Sequence, residues 1–211
     1  MARKVLTAQD LESIAAGGEI VVPLDTIVTH LANELAKSRG ITIRLEDPKP
    51  AGAEPAFAAP SRTIAIGSDH GGFDLKEELK GYLGTWGYTV LDQGTTSREA
   101  VDYPDFAEAV ANAVVRGDAS RGIVIDSAGI GSSIAANKVP GARAALCYDR
   151  ATARNSREHN DANILSLGAR LIASEVAREI LAAWLETPFA GGRHQKRVDK
   201  IIAIEKRHLK S

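Results

Sequence analysis

The stretch GIVIDSAGIGSS, residues 122–133, reads as a short apolar strand that runs into a loop of small residues and then a helix. Small residues at such a junction leave backbone N–H groups open at a helix N-terminus, which makes a cradle for an anion. Asp126 stands beside that cradle. It either caps the following helix or takes part in chemistry there. The glycines do not form a dinucleotide fingerprint, because Gly129-Ile130-Gly131 lacks the third glycine and follows the third strand of its domain.

Working outward, apolar strands alternate with amphipathic helices from Thr63 onward. The predicted strands are TIAIGS, YTVLDQ, GIVID, RAALC and NILSL. Helices are predicted near Asp74–Trp86, Tyr103–Arg116, Gly131–Lys138, Asp149–Glu158, Ser174–Glu186 and Gly192–Arg207. Continuous apolar strands separated by helices predict an α/β fold with a parallel sheet covered on both faces. Ligands of such sheets bind beyond the carboxyl ends of the strands, near the topological switch point. That rule selects GSDHGG, IDSAGIGSS and the NSREHNDAN stretch. In the first, Asp69 and His70 follow a strand directly, and Gly71-Gly72 permit a close backbone approach; helix capping and a surface position are the alternative readings. The third, with His159 and Asn160, reads as a polar turn before a strand. Further on, GGRHQKRVDK sets Arg193 and Arg197 four residues apart, on one helical face where two guanidinium groups grip a phosphate or simply meet solvent.

Glu46 to Arg62 contains Pro48, Pro50, Pro55 and Pro60, half of the 8 prolines, so it can form neither a helix nor a central strand and predicts a semi-extended linker. The expected organisation is a small N-terminal α/β appendage (1–45), a linker (46–62) and the main domain (63–211). Within the appendage, Thr7 and Asp10 suit a capping box, and Gly17-Gly18 stops the first helix. GEIVVP and ITIRL read as strands, and a helix opening at Asp25 presents Ile27, Val28, Leu31 and Leu35 on one face.

Composition excludes several classes. At 44% hydrophobic and 25% charged the chain is too apolar to be disordered, and a formal net charge of −1 supplies no general attraction to nucleic acid or acidic membranes. A lone cysteine, Cys147, rules out an intrachain disulfide framework and fits a reducing compartment. No apolar run approaches the roughly 18 residues that span a bilayer. The first residues include an acid at Asp10 and lack a long apolar core, so no secretory signal is expected and a cytoplasmic location is. No His or Cys set has metal-ligand spacing, so no metal is expected. A phosphotransferase with Asp126 as nucleophile is disfavoured, since the loop offers no second carboxylate to hold Mg²⁺.

The segments GSDHGGFDLKEELK, VDYPDFAEAVANAV, AGIGSSIAANKVPGARAALC, SREHNDANILSLGAR and GGRHQKRVDKI, in this order and spacing, resemble the ribose-5-phosphate isomerase B family, which includes the subunits of galactose-6-phosphate isomerase. The resemblance covers nearly all of Thr63 to His208 and none of residues 1–62. It implies a three-layer α/β/α sandwich around a five-stranded parallel Rossmann-like sheet, no cofactor, and a homodimer with shared active sites, or a tetramer built from it. By matched position it implies that His159 assists ring opening, that Asn160, Asp69 and Tyr103 line the sugar site, and that His70, Arg193, Arg197 and Arg170 hold the phosphate. It further implies that the amides of Gly129, Ile130, Gly131 and Ser132 stabilise an enediolate. The departure lies at the chemical centre. Where many relatives carry a cysteine base in a Cys-Gly-Thr-Gly setting this chain has Asp126, with Ala128 at the threonine position. Ser132 stands at the position of the glutamate that other members use. The expected reaction is aldose–ketose isomerisation of a small sugar phosphate with Asp126 as general base, on ribose 5-phosphate, ribulose 5-phosphate or a close analogue such as a four-carbon phosphate. The alternative is a non-catalytic sugar-phosphate binder that has lost its base. Residues 1–45 resemble faintly the N-terminal segments of some bacterial microcompartment-associated enzymes. They are expected either to dock to a shell or partner enzyme, which would put the chain inside a microcompartment, or to add an oligomerisation element.

Overall fold

A computed structural model describes residues 5–12, 14–23, 26–46 and 62–209. The chain divides into two compact units, Met1–Ala58 and Ala59–Ser211.

The smaller unit orders β1 (Val5–Leu6), α1 (Ala8–Leu11), β2 (Glu19–Pro23), β3 (Ile27–Val28), α2 (His30–Arg39) and β4 (Thr42–Glu46). β1 pairs in parallel with β3, and β2 with β4. Leu6, Leu11, Val22, Ala32, Ala36 and Ile41 form its core. The backbone N–H of Thr7 donates to Asp10 Oδ2 at 2.8 Å, as a capping box requires. The expected helix opening at Asp25 needs correction: Asp25 lies outside the described residues, and Ile27 and Val28 are a strand. The helix starts at His30 because Thr29 caps it, its Oγ1 accepting from the Ala32 N–H at 3.3 Å. Leu31 consequently faces outward at 72% exposure while Ala32 and Ala36 turn inward. Most of the predicted linker, residues 47–61, lies outside the described residues.

The larger unit continues with β5 (Thr63–Ser68), α3 (Phe73–Thr85), β6 (Thr89–Asp92), α4 (Tyr103–Val115), β7 (Arg121–Asp126), α5 (Ile130–Ala136), β8 (Ala144–Leu146), α6 (Arg150–Asn160), β9 (Ile164–Gly168), α7 (Ser174–Glu186) and α8 (Gln195–His208). Five parallel strands in the order β6-β5-β7-β9-β8 make one sheet. Alternate residues serve opposite faces, as the pleat demands. Ile64, Ile66, Ile123, Ile125, Leu165 and Leu167 pack with Leu79 of α3 and Ile180 and Trp184 of α7, whereas Ala65 and Val124 pack with Val110 and Ala111 of α4. The result is a three-layer α/β/α sandwich. No helix among the described residues is long and apolar enough to cross a membrane.

Two predicted boundaries shift in ways that move site residues. α6 runs through His159 to Asn160 and ends at Asp161, whose φ of 47° is left-handed, so the third stretch is the last turn of a helix rather than a loop. α8 begins only at Gln195. Gly191 and Gly192, at φ 60° and 54°, turn the chain just before it, so Arg193 lies in that turn and does not share a helical face with Arg197.

One buried charge is tied to the sheet. Lys76 of α3 is fully buried, and its Nζ donates to both oxygens of Asp92 (2.9 and 2.8 Å) and to Glu77 (2.7 Å); Lys80 also donates to Asp92. Asp92 in turn accepts from the Gly94 N–H at 3.0 Å. Gly94 and Thr95 exchange backbone bonds of 2.8 Å with Ser68, the residue before Asp69.

Candidate active site

The carboxyl ends of β5 and β7 are neighbours, and the chain leaves them in opposite directions. β5 leads through α3 to β6 on one side, while β7 leads through α5 toward β8 on the other. A crevice at such a switch point is where α/β sheets bind ligands.

Asp69, His70, Asp126 and the glycine loop meet there. The Asp69 N–H donates to the Ile125 carbonyl at 3.2 Å, which ties the first loop to the end of β7. Its Oδ1 accepts from the Gly72 N–H at 3.0 Å, so Asp69 does cap the turn into α3, while Oδ2 makes no hydrogen bond among the described residues. Nδ1 of His70 lies 3.2 Å from the backbone N of Val101. Tyr103 opens α4, and its ring lies over Gly131: a Cβ on that glycine would stand 2.5 Å from the ring Cζ. Arg170 is joined to the same loop, its N–H donating to the Ser127 carbonyl at 3.0 Å.

Asp126 is 5% exposed and is held by three amides. Its Oδ1 accepts from the N–H groups of Ala128 (2.7 Å) and Gly129, and its Oδ2 from Ser132 (2.8 Å). The cradle amides of Gly129 and Ser132 therefore already hold an anion, the side chain of Asp126. Those of Ile130 and Gly131, also in the first turn of α5, have no acceptor among the described residues. Gly129 has φ 78°, and its carbonyl accepts from Ser166 Oγ at 2.6 Å; Tyr148 Oη donates to the Ala128 carbonyl at 3.0 Å. Ser132 contributes its amide here and has a buried side chain. Among the described residues no group of three His, Cys, Asp or Glu side chains could hold a metal ion.

This arrangement of loops and sheet is a known one. A family model described as Ribose/Galactose Isomerase matches residues 64–201. The chain belongs to that family. It is 48% identical over 146 residues to the ribose-5-phosphate isomerase B of Escherichia coli (strain K12), covering 69% of this chain and 98% of that protein. It is 44% identical over 140 residues to the D-erythrulose-4-phosphate isomerase of Pectobacterium atrosepticum, covering 66% and 92%. Among solved structures, the ribose-5-phosphate isomerase B of Clostridium thermocellum matches with a TM-score of 0.69 at 55% identity, over 69% of this chain and 99% of that one. The enzyme class of these relatives is the expected one, an aldose–ketose sugar-phosphate isomerase.

The remaining residues singled out from the sequence form a second group elsewhere. His159 and Asn160 end α6, which leads into the amino end of β9, whereas Asp69 and Asp126 lie at the carboxyl ends of their strands. A helix of 11 residues is about 16 Å long, and α6 runs that distance from one end of the sheet to the other. The C-terminal segment joins His159 there: the Ala190 N–H donates to the Glu158 carbonyl at 3.0 Å. The His194 ring stacks on His159, and Arg193 Nε lies 3.3 Å from His194 Nε2. Arg193, Arg197 and Asn160 are exposed. No hydrogen bond, ion pair or ring contact among the described residues joins this group to the first. The selection of NSREHNDAN as a carboxyl-end loop is thus corrected, since the stretch precedes a strand and belongs to the opposite edge.

Two residues near these groups escaped the reading of the sequence. His194 is buried, and its Nδ1 has no partner among the described residues. Burial, then the positive charges of His159, Arg193 and Arg197, hold it below the ordinary histidine value. Its place between the two arginines was the available signal. Ser127, the residue after Asp126, is the other.

Proposed function

We propose that the chain isomerises a small aldose phosphate to its ketose through an enediolate, with Asp126 as general base. The carboxylate at the switch point, beside two amides with no acceptor among the described residues, carries the reading. Oδ2 of Asp126 accepts one bond, from Ser132, and keeps a lone pair for the crevice. That lone pair takes the proton from C2 of the open-chain aldose. The C2–H electron pair forms the C1–C2 double bond, and the carbonyl oxygen on C1 becomes the oxyanion, held by the amides of Ile130 and Gly131. Asp126 then returns its proton to C1, the O2 hydroxyl proton passes to the O1 oxyanion as the C2–O2 double bond forms, and the ketose results. Asp69 and Tyr103 suit contacts to the sugar hydroxyls, and His70 and Arg170 suit the phosphate.

His159, Asn160, Arg193 and Arg197 join the reaction in a homodimer whose partner presents them at the crevice. Their position at the opposite edge of the sheet favours this over a site within one chain. The exposed Ile130 and Ile134 on α5, and Ile201 and Ile204 on α8, offer apolar surface for it. The substrate is ribose 5-phosphate or a four-carbon relative; the likeness to both kinds of isomerase supports the choice. For residues 1–45 we propose docking to a shell or partner enzyme, tested by deleting residues 1–62 and measuring activity and assembly size.

Conversion by Asp126→Asn tests the base, with loss of about 10²-fold or more in turnover expected. Near-normal turnover would remove Asp126 from the mechanism. The three amide bonds into Asp126 favour a second reading, a binder in which the carboxylate only caps α5. Proton exchange at C2 in deuterated water separates the two, because a binder shows none.

A further inference from the structure

Between Asp69 and the cradle stands a hydroxyl with no assigned work. Ser127 is half-buried, and its Oγ makes no hydrogen bond among the described residues. Its backbone is fixed by the bond from the Arg170 N–H to its carbonyl, and Asp126 on one side and Gly129 on the other are fixed as well. The side chain points across the switch point to the first loop. A Cβ on Gly71 would overlap Ser127 Oγ, and the same Cβ would lie 3.3 Å from Asp69 Oδ1. The serine hydroxyl and the aspartate carboxylate thus flank one spot beside Gly71, which has no side chain to fill it. Asp69 Oδ2 and Ser127 Oγ are both uncommitted, one a pure acceptor and the other a donor and acceptor.

Resting on the isomerase reading above, we infer that Ser127 is a specificity-determining residue: with Asp69 it binds a hydroxyl of the sugar chain, and its CH₂OH group shortens the crevice in favour of a four-carbon over a five-carbon phosphate. A polyol chain running along the crevice from the Asp126 carboxylate meets the pair next. A buried hydroxyl left without a partner weakens binding, so the pair rewards a substrate that satisfies it. A side chain occupying chain-length space discriminates by volume, where one carbon unit is worth about 10- to 200-fold. The two effects separate by substitution, since Ser127→Ala removes only the hydroxyl and Ser127→Gly removes the volume as well.

The test is steady-state kinetics of wild type, Ser127→Ala and Ser127→Gly on erythrose 4-phosphate, erythrulose 4-phosphate, ribose 5-phosphate and ribulose 5-phosphate. Wild type is expected to turn over the four-carbon pair with the higher kcat/KM. Ser127→Ala should raise KM for that pair about tenfold with kcat changed less than about twofold. Ser127→Gly should move the five- to four-carbon ratio of kcat/KM up by about tenfold or more. Active wild type with KM and ratio unchanged in both variants overturns the role of Ser127 and leaves the isomerase reading standing. Wild type inert on all four compounds overturns the isomerase reading, and this inference with it. Circular dichroism and the urea midpoint identify a variant that fails to fold; Ser127→Ala, which removes one oxygen, then carries the decision alone.

Discussion

The imidazole of His159 lies on that of His194 with ring centroids 4.1 Å apart and planes inclined by 5°. Two cations cannot share that stack cheaply. Burial first, then the charges of His159, Arg193 and Arg197, hold His194 below its ordinary 6.5, with Glu158 acting the other way. The folded chain therefore binds this proton less readily than the unfolded one. The contribution to stability is complete above pH 6.5 and is lost as the pH falls through the lowered folded value. His194→Phe keeps a flat ring and removes the titration, so its urea midpoint should fall less steeply below pH 6.5 than that of wild type. Parallel curves would place the acid sensitivity elsewhere.

If His159 serves a crevice on another copy of the chain, two inactive variants will rescue each other. On ribose 5-phosphate, whose ring must open before C2 can lose its proton, Asp126→Asn and His159→Asn are each expected to be inactive alone. Unfolded together and refolded in equal amounts, half of the dimers pair one of each, and each mixed dimer holds one intact site. Activity should recover to about one quarter of wild type. No recovery from a mixture shown to contain mixed dimers would mean that each site is built from one chain.

Gly129 sits at φ 78°, and a Cβ there would stand 2.5 Å from Leu146 Cδ1 and 2.8 Å from the backbone carbon of Leu167. Gly129→Ala should cost about 2–4 kcal/mol, from the left-handed backbone and the clash together. The loss is read from chemical unfolding. A variant as stable as wild type would show that the loop moves freely against β9.

Lys76 supplies the acid limb of the stability curve. Burial raises the Asp92 carboxyl, but the bonds from Lys76 and Lys80 outweigh it and hold the group below 3.8. Glu77 is held below 4.5, chiefly by Lys76 and then by Lys80. Stability from both is present above those ordinary values and drains away as the pH falls through the lowered folded ones. Lys76→Met should cost about 2–3 kcal/mol at neutral pH, less than a fully buried pair because Lys80 still meets Asp92. It should also flatten the decline below pH 4.5. Equal slopes for variant and wild type would assign the acid limb to other carboxylates.

What was legible in the residues was local. Continuous apolar runs in TIAIGS and GIVID mark strands covered on both faces, and small residues in SAGIGSS mark a close turn, because both effects act within a few residues. The same locality explains the boundary errors. Asp25 and Thr29 are both good caps, and only the pairing of Val28 with Leu6 in the parallel ladder settles in favour of Thr29. Likewise the end of α6 depends on Arg157, whose Nη1 donates to Asp161 and to the Ala162 carbonyl and so carries the helix two residues past the predicted end at Glu158.

The sequence by itself determined the α/β class, two of the three loops selected at strand ends, the family, and the substitution of a carboxylate for a thiol at position 126, because hydrophobic pattern and motif are properties of neighbours along the chain. Only the tertiary structure decided that Asp126 fills part of its own cradle, that Ser127 reaches across to Gly71 and Asp69, and that His159 stands at the opposite edge of the sheet beside a buried His194. The last two relations join residues separated by tens of positions, and the first needs the loop closed over the end of β7. They depend on strand order and crossover direction, which no short stretch of sequence encodes.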